Sequence, residues 1–173
     1  FFLALLACNH GEDDSSTDNP FYKNEMRNFV IGISQYAKGI RPGFFIVPQN
    51  GVELVSDTGE ETGAPHAAYL TAIDGNGQED LFFGYDEDDK PTKSADNQYL
   101  RAFLDISRNT GNVILVTDYC STPSKMDESY SLNEAAGYLS FAANHRELDN
   151  IPAHPNPIFN ENDAVISALS DAR

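Results

Sequence analysis

Four apolar runs, each ending on a polar residue and separated by segments of helical periodicity, constrain this chain more than anything else in it. Phe44-Phe45-Ile46-Val47-Pro48-Gln49 runs into Asn50. Tyr69 to Ile73, continued through Asp74-Gly75-Asn76-Gly77-Gln78, reaches Glu79. Val113 to Thr117 ends on Asp118, and Tyr138 to Ala143 ends on Asn144. Buried strands of a parallel α/β fold read this way, with the chemistry at their carboxyl ends. The pattern predicts an α/β fold of the (β/α)8 TIM-barrel type and sets Asn50, Glu79, Asp118 and Asn144 on one face. A complete barrel takes about 250 residues. The 173 residues here, with four strand-like runs, make up half of one. The chain is then either a partial barrel or an open α/β sheet.

The helices follow from spacing and punctuation. Met26, Phe29, Val30, Ile33 and Ala37 recur at three- and four-residue intervals and predict a helix over Lys23 to Ile40 with one apolar face, stopped by Arg41-Pro42-Gly43. Asp96 can cap a helix carrying Tyr99, Leu100, Phe103, Leu104 and Ile106, and the stretch after Ser121 reads as loop then helix, up to Ala136. Tyr69 to Phe83 allows two readings. Either a helix ends near Ile73, the glycines turn and Leu81-Phe82-Phe83 is the strand, or the strand runs through the glycines to Glu79. A partial barrel over 23–150 is therefore expected, followed over 151–173 by a proline-containing linker and a helix capped by Asn160 that continues into a further unit.

The amino-terminal residues suggest export. Phe1 to Asn9 is a short apolar run with Ala7 before Cys8, which resembles the lipobox of a bacterial lipoprotein signal, where the chain is cut before a cysteine that is then lipidated. The run is too short to span a bilayer. It leads into an acidic, polar tether over 9–22. Cys8 is accordingly the expected lipid anchor of an exported, periplasmic or cell-surface lipoprotein, and Cys120 is left as a buried free thiol. The formal net charge of −16 argues against nucleic acid, because phosphate binding needs clustered Lys and Arg.

Glu79 and Asp118 are the carboxylates best placed for catalysis. Hydrolysis of a glycosidic bond takes two carboxyl groups, one to protonate the leaving oxygen and one to attack or to activate water. The same residues also cap helices and bind loop amides. Asn50 could hydrogen-bond a sugar hydroxyl, although Asn50-Gly51 more commonly makes a turn. Tyr85, Tyr119, Phe82 and Phe83 lie near the expected mouth, where aromatic faces stack on sugar rings; core packing is the commoner use of such residues. Asp86-Glu87-Asp88-Asp89 lacks the glycine and distal Glu of a calcium loop and reads as a solvated acidic loop. His10, His66, His145 and His154 show no metal-ligand spacing, and His145-Arg146-Glu147, after the fourth strand, could line the mouth, although exposed loop is the commoner case. No phosphate loop, dinucleotide fingerprint or nucleophilic serine motif is present, so no cofactor and no metal is expected.

Several segments together resemble the endo-α-1,4-polygalactosaminidase family of glycoside hydrolases. They are Met26-Arg27-Asn28-Phe29-Val30, Pro42 to Gly51, Ile73-Asp74-Gly75, Glu79 to Tyr85, Val116-Thr117-Asp118-Tyr119 and Arg146-Glu147-Leu148-Asp149. Many members are secreted bacterial proteins once labelled as related to cysteinyl-tRNA synthetase, a label that suits this chain poorly. The resemblance covers roughly Asn24 to Ile151 and implies a TIM-type barrel acting on a galactosamine-containing polysaccharide through a pair of acidic residues. It makes Glu79, five positions after Asp74, the catalytic carboxyl. It gives sugar-positioning roles to Asn50 and Asp118, with Asp74, Tyr119, Asn144 and Tyr85 around the site. The family's other catalytic Asp, in a Gly-Val-Tyr-Leu-Asp-like segment, has no counterpart here. The missing half of the barrel is expected beyond Arg173, and this chain alone is expected to be inactive. A non-catalytic carbohydrate-binding lipoprotein is the alternative.

Overall fold

The structure, a computed structural model, describes residues 20–154, 165 and 167–169. Cys8, the tether as far as residue 19 and most of the helix expected after Asn160 lie outside the described residues. The elements run α1 (Pro20–Ile40), a 3-10 turn (Val52–Val55), α2 (Ala67–Ala72), β1 (Gly75–Glu79), α3 (Ser94–Asn109), β2 (Val113–Tyr119), α4 (Pro123–Ala136) and β3 (Leu139–Ala143). No helix among the described residues is long and apolar enough to cross a membrane. Two compact units share these elements. The first runs up to Asn76 and adds Ala102–Asn112; the second has Gly77–Arg101 and the residues from Val113 onward.

The TIM-type barrel is not formed. The sheet has three parallel strands in the order β1-β2-β3 and stays open. Barrel closure needs tilted, staggered strands all the way round, and three cannot provide it. The run Phe44–Gln49, expected as the first strand, forms no ladder; a single bridge residue, Gln49, is all it shows. Pro48 has no N–H to give to a ladder. The N–H of Ile46 donates to Asp74 Oδ2 and its carbonyl accepts from the Asp74 N–H, both at 2.8 Å. The segment is thus pinned at one point to the turn before β1. The described residues thus form an open α/β sheet of three parallel strands.

In the first unit α1 starts three residues earlier than its periodicity predicts, at Pro20, which suits a first helical position because its missing N–H has no intrahelical role there. Its inner face is also not the predicted one. Arg27, Val30 and Ser34 are buried, whereas Met26 and Phe29 are 48% and 52% exposed. The buried guanidinium explains the change. Arg27 donates to the carbonyls of Leu54 (2.9 Å) and Ser56 (2.5 Å) and to Asn24 Oδ1 (2.6 Å), which ties α1 to the 3-10 turn. Ser34 and Lys38 donate to the Ala72 carbonyl that ends α2. Hydrogen bonds to carbonyls, more than apolar contact, set this helix's orientation.

The second unit is built as a parallel α/β layer. Ile114, Val116 and Asp118 alternate on the buried face of β2. β2 and β3 pair from Leu115 with Leu139 to Tyr119 with Ala143, so their carboxyl ends lie level. Thr122 caps α4, Pro123 opens it, and Gly137 closes it in the left-handed conformation at φ 74°. Met126, Ser129, Asn133 and Ala136 form its buried stripe.

Asp89, from the acidic loop, anchors the two residues before α4 and Lys125 in its first turn. Its Oδ1 accepts the N–H groups of Ser121 and Thr122 at 2.9 Å, and its Oδ2 accepts the Thr122 hydroxyl at 2.6 Å and pairs with Lys125. The Thr122 hydroxyl and N–H, with Lys125 and Ser121, hold its carboxyl well below the ordinary carboxylate value. The folded chain then binds fewer protons than the unfolded one in acid. This contribution is complete above the ordinary carboxylate range, starts to be lost as pH falls through it, and is gone only below the lowered value of the folded chain. Asp89→Ala should cost about 1–2 kcal/mol at neutral pH, the size of a lost cap. In urea titrations from pH 7 to 3 its stability should fall less on acidification than that of the parent.

Candidate functional site

Ligand sites in open α/β sheets form outside the carboxyl ends of the strands, and in the second unit three strand ends converge in function. β1 ends on Glu79, followed by Asp80. β2 ends on Tyr119. β3 leads through Asn144 and His145 to Arg146. The Tyr119 hydroxyl donates to the Glu79 carboxylate; burial first, and that carboxylate second, push the phenol well above its ordinary value. The Arg146 guanidinium lies 4.2 Å from the centre of the Tyr119 ring, a cation–π contact. It also donates to Asp80 Oδ1 at 3.2 Å, to Asp88 Oδ1 at 2.8 Å and to the Gly84 carbonyl at 2.7 Å. One side chain thus connects the ends of all three strands with the loop after β1.

The backbone of that loop is built for this contact. Asp80 takes a left-handed conformation at φ 59°, which turns the chain directly after Glu79. Its N–H donates to the Thr117 carbonyl of β2. Burial raises the Asp80 carboxyl above its ordinary value and the Arg146 hydrogen bond opposes that rise. Gly84 sits at φ 110°, where a Cβ would lie 2.5 Å from Asp80 Oδ1 and 3.0 Å from Tyr119 Cβ. Gly84→Ala combines backbone strain with that clash. It should cost about 1–3 kcal/mol and separate Arg146 from Tyr119, which a thermal melt and the near-ultraviolet circular dichroism of the tyrosine would register.

The residues singled out by sequence divide clearly. Glu79 and Tyr119 meet in a hydrogen bond at the rim, Tyr85 is 49% exposed in the loop between β1 and α3, and Asn144 is exposed just past β3. Asp118 is elsewhere. It is fully buried, and its carboxylate accepts from the N–H groups of Phe82 (2.8 Å) and Phe83 (3.2 Å), the Ser129 hydroxyl (2.7 Å) and the Asn133 amide (3.0 Å). It holds α4 and the 80s loop to β2, with no lone pair directed at a ligand.

Asp74 and Asn50 belong to the first unit. Asp74 is paired with Lys38 at 2.8 Å and with the Ile46 N–H. Asn50 and Gly51 are both left-handed, at φ 57° and 59°, and form the turn into the 3-10 segment. Asp80, Gly84 and Arg146 were not among the predicted site residues. Arg146 stood in a segment read as exposed loop, and a left-handed Asp leaves no mark in a sequence. Among the described residues no three His, Cys, Asp or Glu side chains gather in a way that could hold a metal ion. Cys120 is buried, and burial, with Asp118 and Asp89 adding to it, pushes its thiol up to about 12, which leaves it unreactive.

No family model matches the chain. It is 29% identical over 147 residues to the uncharacterized protein MJ1477 of Methanocaldococcus jannaschii, a match that covers 80% of this chain and 40% of that protein. It is 26% identical over 134 residues to an uncharacterized protein of Deinococcus radiodurans, covering 78% of this chain and 40% of the other. The chain therefore spans about 40% of the length of the curated relatives it matches.

Proposed function

We propose that the rim formed by Glu79, Tyr119 and Arg146 binds a polysaccharide, and that Glu79 is the acid/base carboxyl of a glycoside hydrolase in the full-length protein. The single observation that carries this reading is the placement of Glu79 at a strand's carboxyl end, hydrogen-bonded by Tyr119 from the next strand. A phenol that donates to a carboxylate fixes its orientation. A group that must give a proton to a leaving oxygen and take it back from water needs such control. The motif resemblance supplies the substrate class, an α-1,4-linked galactosamine-containing or related glycan. The lipobox-like run before Cys8 supplies the expectation of an exported, lipid-anchored protein.

Hydrolysis needs a second carboxyl group. Asp118 and Asp74 are occupied by protein donors, and Asp80 is tied to Arg146. The resemblance puts that carboxyl in a Gly-Val-Tyr-Leu-Asp-like segment, which this chain does not contain, so it would come from another part of the full-length protein. The same shortage favours a second reading, a non-catalytic carbohydrate-binding surface, for the chain by itself. Reducing-end release from an α-1,4-galactosamine polysaccharide, together with retardation of the chain in gels containing it, tests both. Retardation without release supports binding alone, release by the full-length protein supports the hydrolase, and neither would reject the glycan reading.

A further inference from the structure

The outer face of α1 carries a pattern that the rim does not use. Tyr22, Met26, Phe29, Ile33, Tyr36 and Ile40 follow one another at intervals of four and three residues, the spacing of a two-helix seam. Tyr22, Met26, Phe29, Tyr36 and Ile40 are 67%, 48%, 52%, 75% and 70% exposed. Gly32 and Gly39, one heptad apart, border this stripe, and a Cβ at either would meet nothing within 4 Å. Glycine inside an exposed helix costs about 1 kcal/mol relative to alanine. Two of them beside an apolar seam leave room for another backbone to come close.

We infer that α1 is a dimer interface, in which its outer face packs against α1 of a second copy of this chain. A two-fold interface must be complementary to itself, and an apolar stripe bordered by glycines meets that condition. Large side chains carry about 150–250 Å² each. At these exposures the stripe offers on the order of 600 Å² per copy, so a symmetric pair buries about 1,200 Å², the lower end of stable interfaces. The net charge of −16 makes two copies repel. Added salt screens that repulsion and leaves apolar contact intact, so the dimer should tighten as salt rises.

Sedimentation equilibrium of the 173-residue chain in reductant, from low micromolar to several hundred micromolar, reads this directly. The mass should climb from 19.0 kDa toward twice that value, at lower concentration in high salt. Phe29→Glu with Tyr36→Glu should hold it at the monomer value with the helical circular dichroism unchanged. Gly32→Leu, which improves helix propensity, should raise the thermal midpoint at low concentration and weaken association at least tenfold. That pairing of opposite effects is not expected of a face that nothing covers, and it keeps the test valid should the double variant misfold. A mass fixed at 19.0 kDa overturns the inference. So does association that Gly32→Leu leaves unchanged, or a monomer that floats with phosphatidylcholine vesicles through the same residues, which would give the face to a lipid surface.

Discussion

If the full-length protein is the glycoside hydrolase proposed above, Glu79→Gln should reduce its polysaccharide turnover about 10²- to 10⁴-fold, the contribution of a positioned general acid/base. The amide is nearly isosteric with the carboxyl, and its oxygen can still accept from the Tyr119 hydroxyl. The rim and its sugar contacts should therefore survive: KM within a few-fold, thermal midpoint within about 2 °C. The loss falls on kcat because an amide cannot deliver or recover a proton at the leaving oxygen. An unchanged kcat removes Glu79 from catalysis. Loss of binding and stability together, with kcat of the remaining active fraction intact, would make it a structural residue only.

Asp118→Ala should be the most destabilising single change in the second unit. It removes one carboxylate and takes the acceptor from buried donors on Phe82, Phe83 and Ser129, while the Asn133 amide keeps only the Ser129 carbonyl. A cost of about 3–5 kcal/mol is expected, because each buried donor that loses its acceptor costs about 1–3 kcal/mol. That is a large part of the 5–15 kcal/mol by which domains are stable. Asp118→Asn keeps one acceptor oxygen but points an N–H2 group at the Asn133 amide, so it should fall between parent and Ala. Burial raises the Asp118 carboxyl above its ordinary value, so its folded form holds the proton more tightly than its unfolded form. Its ionisation thus reduces stability as pH rises through that range, the opposite sign to Asp89. Urea titrations at pH 7 and pH 4 check both. If Asp118→Ala unfolds at the parental midpoint, the hydrogen-bond account of this residue is wrong.

Where the sequence was readable, each signal had a single physical meaning. Val113 to Tyr119 is an apolar, β-branched run, and Pro123 with Gly137 brackets α4 with residues that suit only a helix start and a helix end. β1 was harder. Gly75-Asn76-Gly77-Gln78-Glu79 contains no apolar side chain, so periodicity could offer it only as one of two readings, yet its first four residues are buried. Phe44 to Gln49 misled in the other direction. Its composition is that of a strand, and Asp74, 28 residues away, decides that Ile46 is held at one point instead. A long-range side-chain acceptor of this kind cannot be seen in local pattern. The inner face of α1 was misassigned for a similar reason, because Arg27 is buried by carbonyls that a hydropathy pattern does not weigh.

The site was half legible. Glu79 and Tyr119 were singled out because strand ends carry chemistry in parallel α/β folds, and the structure sets both at strand ends. Asp118 satisfied the same rule and yet faces inward, since Ile114, Val116 and Asp118 alternate onto the side covered by α4. The signal that separates them lies in Ser129 and Asn133, polar residues four apart in a buried helical stripe, which call for a buried partner. Arg146 joins strand ends that are far apart in sequence, so only the fold reveals it.

The most direct test of the central claim is a heteronuclear NMR titration of the chain with an α-1,4-linked galactosamine oligosaccharide. The account predicts saturable shifts concentrated on Glu79, Asp80, Tyr85, Tyr119 and Arg146, with Asp118 and Asp74 little affected. Shifts centred on other residues, or none at millimolar sugar, would contradict it.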